Sequence, residues 1–237
     1  MFKEYKSKLA MLDRSLIICY STPNYEKITN HFLKCLKDVF VVSTGICMKR
    51  DIPPPELMIR TGYKSDLWYY CLITKLKHLI DSLKDHSGKY DYYISSDCDI
   101  QFLPNNVEKW SELEEYIKNN NKDVYFMSEY PKGVNGGFYI ICNRNLKTTI
   151  DFLTEIYEEM KITPYKNMPL GEQTLINNNL HKLNYGCIPN KYIIWGNQVY
   201  ESESSLVHHA VIATDVEDKW SQMLEITRYL DEVKRWS

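Results

Sequence analysis

No stretch of the 237 residues approaches the roughly 18 apolar residues that a membrane span requires, and the opening MFKEYKSKLAML places charges where a signal peptide would have its apolar run. The chain therefore reads as soluble. It has no long run of one charge sign: 29 basic residues against 31 acidic ones leave a formal charge of -2, which excludes a broad electrostatic footprint for nucleic acid. It also lacks any C-x-x-C pair. Its seven cysteines (Cys19, Cys35, Cys47, Cys71, Cys98, Cys142, Cys187) are odd in number and widely spaced, so neither a disulfide framework nor a zinc knuckle is expected. They read as reduced, mostly buried thiols of a cytoplasmic or other reducing compartment, none of them catalytic. Internal repeats and low-complexity segments are absent as well, and one α/β domain over 1–237 is the expectation.

What is present alternates. SLIICYS at 15–21 and VFVVSTG at 39–45 read as strands, separated by an amphipathic helix that Asn24 can cap and whose Ile28, Phe32, Leu33 and Leu36 share a face. KRDIPPPELMIRTG at 49–62 reads as irregular. Ser65 opens a long helix to about Lys84, with Leu72, Leu76, Leu79 and Leu83 at helical spacing. The strand YDYYIS follows, then an acidic helix near 107–120, the strands VYFMSE and GGFYIICN, a helix over 147–160, a short helix in GEQTLINNNL and a last one over 216–236. Strand, helix, strand, helix, strand in the first hundred residues implies a mostly parallel, twisted central sheet flanked by helices.

Ligands of such sheets bind beyond the carboxyl ends of the strands, and there the sequence reads Asp97-Cys98-Asp99. In an extended segment residues i and i+2 point the same way, so both carboxylates can converge on one hard cation, Mg²⁺, Mn²⁺ or Ca²⁺, with Cys98 facing away. The alternative for this segment alone is a solvated turn with an Asx cap.

The order ISSDCDIQFLP, VNGGFYIICNRN, GEQTLIN, then VHHA followed by Lys219 resembles the nucleotide-diphospho-sugar transferases of the GT-A fold, over about residues 15–225. The resemblance implies a donor-nucleotide half at about 15–105 and an acceptor and catalytic half at about 106–237. It implies a metal, Mn²⁺ or Mg²⁺, at Asp97, Asp99 and His209, with the diphosphate meeting Lys75, Lys219 and the metal-bound Asp97. His209 is preferred over His208 because Lys219 follows it at the family's spacing of ten residues; Val211 and Asp215 depart from the family's Asn and Gly. Asn135, Gly136 and Gly137 match the motif under the sugar, although a glycine pair alone more often marks a bulge. Glu172 and Gln173 match the residues near the reacting carbon, Glu172 in place of the commoner Asp. By analogy of fold the base and ribose lie near Tyr20, Ser21 and Thr22.

The implied reaction is transfer from a UDP- or GDP-sugar to a hydroxyl of a glycan or glycoprotein acceptor, with a leaning towards retention. The connections at 50–62 and 190–205 are candidate acceptor walls, and Trp68, Tyr192, Trp195 and Tyr200 are candidate stacking platforms. Two other classes fit paired carboxylates and a lysine: a metal-dependent nucleotidyltransferase or phosphohydrolase, and a non-catalytic metal-dependent sugar-binding module.

Overall fold

A computed structural model describes residues 10–39, 45–59, 63–104, 107–129, 131, 133–196, 198, 205–211 and 215–236. In chain order the elements are α1 (Ala10–Asp13), β1 (Ser15–Ser21), α2 (Glu26–Val39), β2 (Gly45–Arg50), α3 (Asp66–Asp85), β3 (Tyr92–Ser96) and β4 (Ile100–Phe102). Then follow α4 (Val107–Asn120), β5 (Val124–Ser128), β6 (Val134–Cys142), α5 (Leu146–Ile162), α6 (Glu172–Asn179), β7 (Tyr185–Ile188), β8 (Ile193–Trp195), β9 (Val207–His209) and α7 (Val216–Trp236).

Six strands form the central sheet in the order β2-β1-β3-β6-β5-β7. β1 runs parallel to β2 and β3, and β5 runs parallel to β7. Only β6 is reversed, antiparallel to both β3 and β5, so the sheet is mostly parallel with one opposed strand. Both faces are covered, which explains why β1 reads as a continuous apolar run. Ile17 and Cys19 join a cluster with Phe32 and Leu36 of α2, Trp110 of α4 and Met223 of α7. Leu16 and Ile18 point the other way, to Leu76, Leu79, Ile80 and Leu83 of α3 and Leu153 and Ile156 of α5.

A second sheet, β4-β9-β8, begins with the strand that directly follows Asp97-Cys98-Asp99. Its register sets Ile100 opposite His209 and Trp195 beside His209. Three sequence expectations change here. The second strand is Gly45–Arg50, within and before the segment read as irregular, while residues 40–44 of the expected strand fall outside the described residues. Asn24 does not cap α2: Pro23–Tyr25 forms a 3₁₀ turn, and Asn24 Oδ1 accepts from Thr22 Oγ1 at 2.5 Å. The connection at 190–205 is not one long loop, because it contains β8. Ser65 does cap α3, its Oγ accepting from the Trp68 amide at 3.1 Å.

Candidate functional site

Asp97, Cys98 and Asp99 do not continue β3 as an extended segment. They make a tight turn in which the Ile100 amide donates to Asp97 O at 3.2 Å. The turn is tied on two sides: the Asp97 amide donates to Gly137 O at 2.7 Å, and the Cys98 thiol donates to Tyr20 O at 3.3 Å. The turn spares the two carboxylates a shared face and gives each its own cation. Lys75, from the middle of α3, reaches Asp97 Oδ1 at 3.0 Å and Glu172 Oε1 at 2.5 Å. Lys219, from the first turns of α7, donates to Asp99 Oδ2 and lies 5.9 Å from the Tyr25 ring centre. Burial works against both ammonium groups, but the facing carboxylates outweigh it and hold the two lysines above their usual range.

The carboxylates respond unequally. Burial, opposed by Lys75 and assisted by Asp99 and Glu172, pushes Asp97 up to about 6. Burial would raise Asp99 too, yet Lys219 and then His209 hold it below the usual carboxylate range. His209 is pushed down to about 4 by burial, so its imidazole is neutral at pH 7 and has lone-pair character to offer a cation.

β9 carries His209 to the turn, where the Ala210 amide donates to Asp99 O at 3.1 Å. His209 Nε2 stands 3.7 Å from Asp99 Oδ1, and that carboxylate oxygen is buried without a hydrogen-bond partner among the described residues. Two carboxylates and a neutral imidazole suit a hard divalent ion, and the orphaned Asp99 oxygen is a donor in want of one. Among the described residues no three His, Cys, Asp or Glu side chains converge as a cluster able to hold a metal; Asp97 is engaged by Lys75 instead. His208 faces the other way, its Nε2 hydrogen-bonded to Gly196 O at 2.8 Å and its Nδ1 3.2 Å from Gln101 Oε1.

The reversed strand β6 delivers its first residues to the same place. The Gly137 amide donates to Asn135 Oδ1 at 2.8 Å, and the Gly136 amide to Gln173 Oε1 at 3.0 Å. A Cβ on Gly137 would sit 2.7 Å from His209 Cε1 and 2.9 Å from Asn135 Oδ1, so glycine is what lets β6 approach the imidazole. Lys75, Asp97, Asp99, Asn135, Gly136, Gly137, Glu172, Gln173, His209 and Lys219 thus form one connected set. Glu172 and Gln173 begin α6 and are buried.

Tyr20, Ser21 and Thr22 lie at the adjacent strand end, but their side chains make no hydrogen bond to this set among the described residues. Ser21 Oγ pairs with Thr29 Oγ1 at 2.5 Å, and the Tyr20 hydroxyl donates to Asp51 Oδ2 at 3.0 Å, where the Tyr70 hydroxyl also donates at 3.0 Å. Trp68 packs on Tyr63, Trp195 lies against His209, Tyr192 is buried, and Tyr200 falls outside the described residues. Sequence reasoning missed Asp51 and Glu129. Each is a single carboxylate just past a strand, and that position at a carboxyl end was the signal available.

No protein-family model matches the sequence, and comparison with curated proteins gives no match. Solved structures do match. A glycosyltransferase involved in the glycosylation of the major capsid of PBCV-1 is 10% identical with a TM-score of 0.63, over 88% of this chain and 98% of that one. The glycosyltransferase GlyE of Streptococcus pneumoniae TIGR4 is similar in two structures. They are 12% and 15% identical, with TM-scores of 0.55 and 0.54, and cover 93% and 92% of this chain. The chain spans 63% and 62% of the length of those two. With five strands running one way, β6 reversed between β3 and β5, and helices on both faces, the chain has the GT-A-like fold of these glycosyltransferases.

Proposed function

We propose that the protein is a glycosyltransferase that moves a sugar from a nucleoside diphosphate sugar, UDP- or GDP-linked, to a hydroxyl of a glycan or glycoprotein. The observation that carries this reading is the convergence of two lysine–carboxylate pairs with the Asn135–Gly137 strand entry and Glu172 at one carboxyl end of the sheet. Lys75 and Lys219 are half-buried cations already facing negative groups, so a diphosphate entering between them meets ammonium donors fixed in place. Asp97, Asp99 and His209 would hold Mn²⁺ or Mg²⁺ once the diphosphate takes Lys75 and Lys219 from the two carboxylates, and the ion when bound adds positive charge against the leaving diphosphate.

In the step proposed, the bond from the anomeric carbon to the diphosphate oxygen breaks and a bond to the acceptor oxygen forms, with the acceptor's proton passing to the departing diphosphate. Glu172 and Gln173 stabilise the cationic sugar. The ion pair of Glu172 with Lys75 supports this over a role as free base, since the oxygen that faces the ammonium is already engaged. That favours retention of configuration.

The test is a thermal-shift panel of UDP- and GDP-sugars with and without Mn²⁺, followed by analysis of products. At least one donor is expected to stabilise the protein only with metal, and turnover is expected to release nucleoside diphosphate. Release of nucleoside monophosphate and pyrophosphate would point to a nucleotidyltransferase. Tight binding of free glycans, with no response to any sugar nucleotide, would make the protein a binding module and overturn the proposal.

A further inference from the structure

Glu129 directly follows β5, and Gly133 directly precedes β6; these two residues are tied to each other. The Glu129 amide donates to Gly133 O at 2.8 Å, and Gly133 has φ of 106°, a left-handed value that favours glycine. A Cβ there would also collide with Asn177 Oδ1. Asn177, on α6, then binds both sides of Val134, accepting from its amide at 2.8 Å and donating to its carbonyl at 2.9 Å. The start of β6 is thereby fixed to the same helix that begins with Glu172 and Gln173.

From this fixed position Glu129 offers one oxygen to two amides. Its Oε2 accepts from Asn135 Nδ2 at 3.2 Å and from Gln173 Nε2 at 2.7 Å. A carboxylate accepts and an amide NH₂ donates, so both side chains are forced to turn their nitrogens towards Glu129 and their oxygens away. The oxygens then fall on the Gly137 and Gly136 amides. A flip of either amide would set an NH₂ against a backbone N–H and leave Glu129 facing an oxygen, two faults at once in a buried setting. Each NH₂ keeps a second hydrogen for which no protein acceptor is found among the described residues.

We propose that Glu129 is a positioning residue: it fixes the orientation of the Asn135 and Gln173 amides so that their second N–H groups are presented to hydroxyls of the donor sugar. This rests on the glycosyl-transfer reading for the identity of the ligand, while the amide clamp itself does not. Glu129 acts through the two amides and does not bond to the sugar.

The experiment compares the parent protein with Glu129→Leu and Glu129→Gln, using Glu129→Ala in place of Leu where Leu does not fold. Gln keeps an acceptor oxygen in the same place; Leu and Ala remove it. One arm follows the side-chain NH₂ signals of Asn135 and Gln173 by NMR in the protein without donor. In the parent and in Glu129→Gln, one NH₂ proton of each side chain is expected to lie downfield because of its hydrogen bond to residue 129, and in Glu129→Leu that downfield shift is expected to be lost. The other arm measures turnover of a sugar nucleotide with Mn²⁺. Glu129→Leu is expected to lower kcat by roughly tenfold or more, the scale of a lost positioned group, with a smaller change in KM, and Glu129→Gln to recover most of that loss. Unchanged amide signals in Glu129→Leu would overturn the clamp. Loss of the downfield shifts with unchanged kcat would overturn the positioning role, and so would a Glu129→Gln variant as slow as Leu, which would mean that the charge meets the substrate directly. If the parent turns over no sugar nucleotide, the glycosyl-transfer reading fails, and the NMR arm alone still decides the clamp.

Discussion

The ammonium of Lys75 lies 2.5 Å from the Glu172 carboxylate, joining the middle of α3 to the first residue of α6. The same nitrogen holds Asp97, so one side chain keeps two carboxylates of different elements apart and neutralised.

Replacing Lys75 by Met leaves those carboxylates facing each other with no cation between. Loss of one partner of a buried pair costs several kcal/mol, and Asp97, which is partly exposed, softens it, so about 3 kcal/mol is expected. For a chain of this size that corresponds to a Tm lower by roughly 6 to 12 °C. Adding Glu172→Gln to Lys75→Met removes one of the stranded charges and should restore part of the loss. Differential scanning calorimetry of the single and double variants decides it; an unchanged Tm in Lys75→Met shows that the bridge is not a structural element.

The two adjacent glycines of β6 differ. Alanine at Gly137 brings a methyl to 2.7 Å from His209 Cε1, whereas at Gly136 the nearest atom, Gln173 Cβ, is an ordinary 3.6 Å away. Gly137→Ala is expected to destabilise by about 1 to 3 kcal/mol through overpacking and to displace either the imidazole or Asn135. Gly136→Ala should change stability by no more than about 0.5 kcal/mol. Urea unfolding of both variants tests the ranking, and equal stability would contradict the crowding at Gly137.

The two neighbouring histidines should separate by assay. His209→Ala and Asp99→Asn are each expected to weaken Mn²⁺ binding by more than the roughly tenfold that loss of a merely supporting partner brings. His208→Ala removes the partner of Gly196 O and Gln101 inside the core, so stability falls by about 2 kcal/mol or more while Mn²⁺ affinity changes far less. Calorimetric titration with Mn²⁺ in the presence of nucleoside diphosphate gives the affinities. The opposite order for the two histidines would remove His209 from the metal set.

Acid should destabilise the metal-free protein well before general carboxylate protonation. Burial lowers His31 and His78 and pushes His208 and His209 down to about 4. In the unfolded chain a histidine takes its proton near 6.5, so from there down to about 4 the unfolded state binds more protons and stability falls with pH. Asp97, raised to about 6, opposes this in part of the window, one group against four. Melting temperatures in EDTA at pH 7.5 and 4.5 check the sign; an equal or higher value at pH 4.5 would show it to be wrong.

Elements with a long period or a clear cap were legible in the sequence. Ser65 and the leucines after it mark α3, and the expected helices at 107–120 and 216–236 are α4 and α7 residue for residue. β2 was not, because GICMKR carries no alternation and the β-rich VFVV beside it draws the eye; only pairing with β1 identifies it. The strands IQF, IIW and VHH are three residues each, too short for any periodicity to register. In the site, Asp97 and Asp99 were legible from their place after a strand, and His209, Lys75, Lys219 and Glu172 only through the family resemblance; the structure brings all six side chains to one place. Their pairing was not: the reading of Asp97 and Asp99 as one extended face failed because the chain turns at Cys98. Glu129 and Asp51 had no motif around them, and their partners Gln173 and Tyr70 are distant in sequence.

The small sheet also orders events in time. β9 must find β4 before His209 can stand beside Asp99, and positions 99 and 209 are 110 residues apart. Chains are made from the N-terminus at about 5 to 20 residues per second, so the carboxylate turn leaves the ribosome roughly 5 to 20 seconds ahead of its imidazole and of Lys219. Throughout that interval Asp99 has neither partner from its own chain, and a nascent chain passes through a stage in which the central sheet can begin to form around an uncompensated charge.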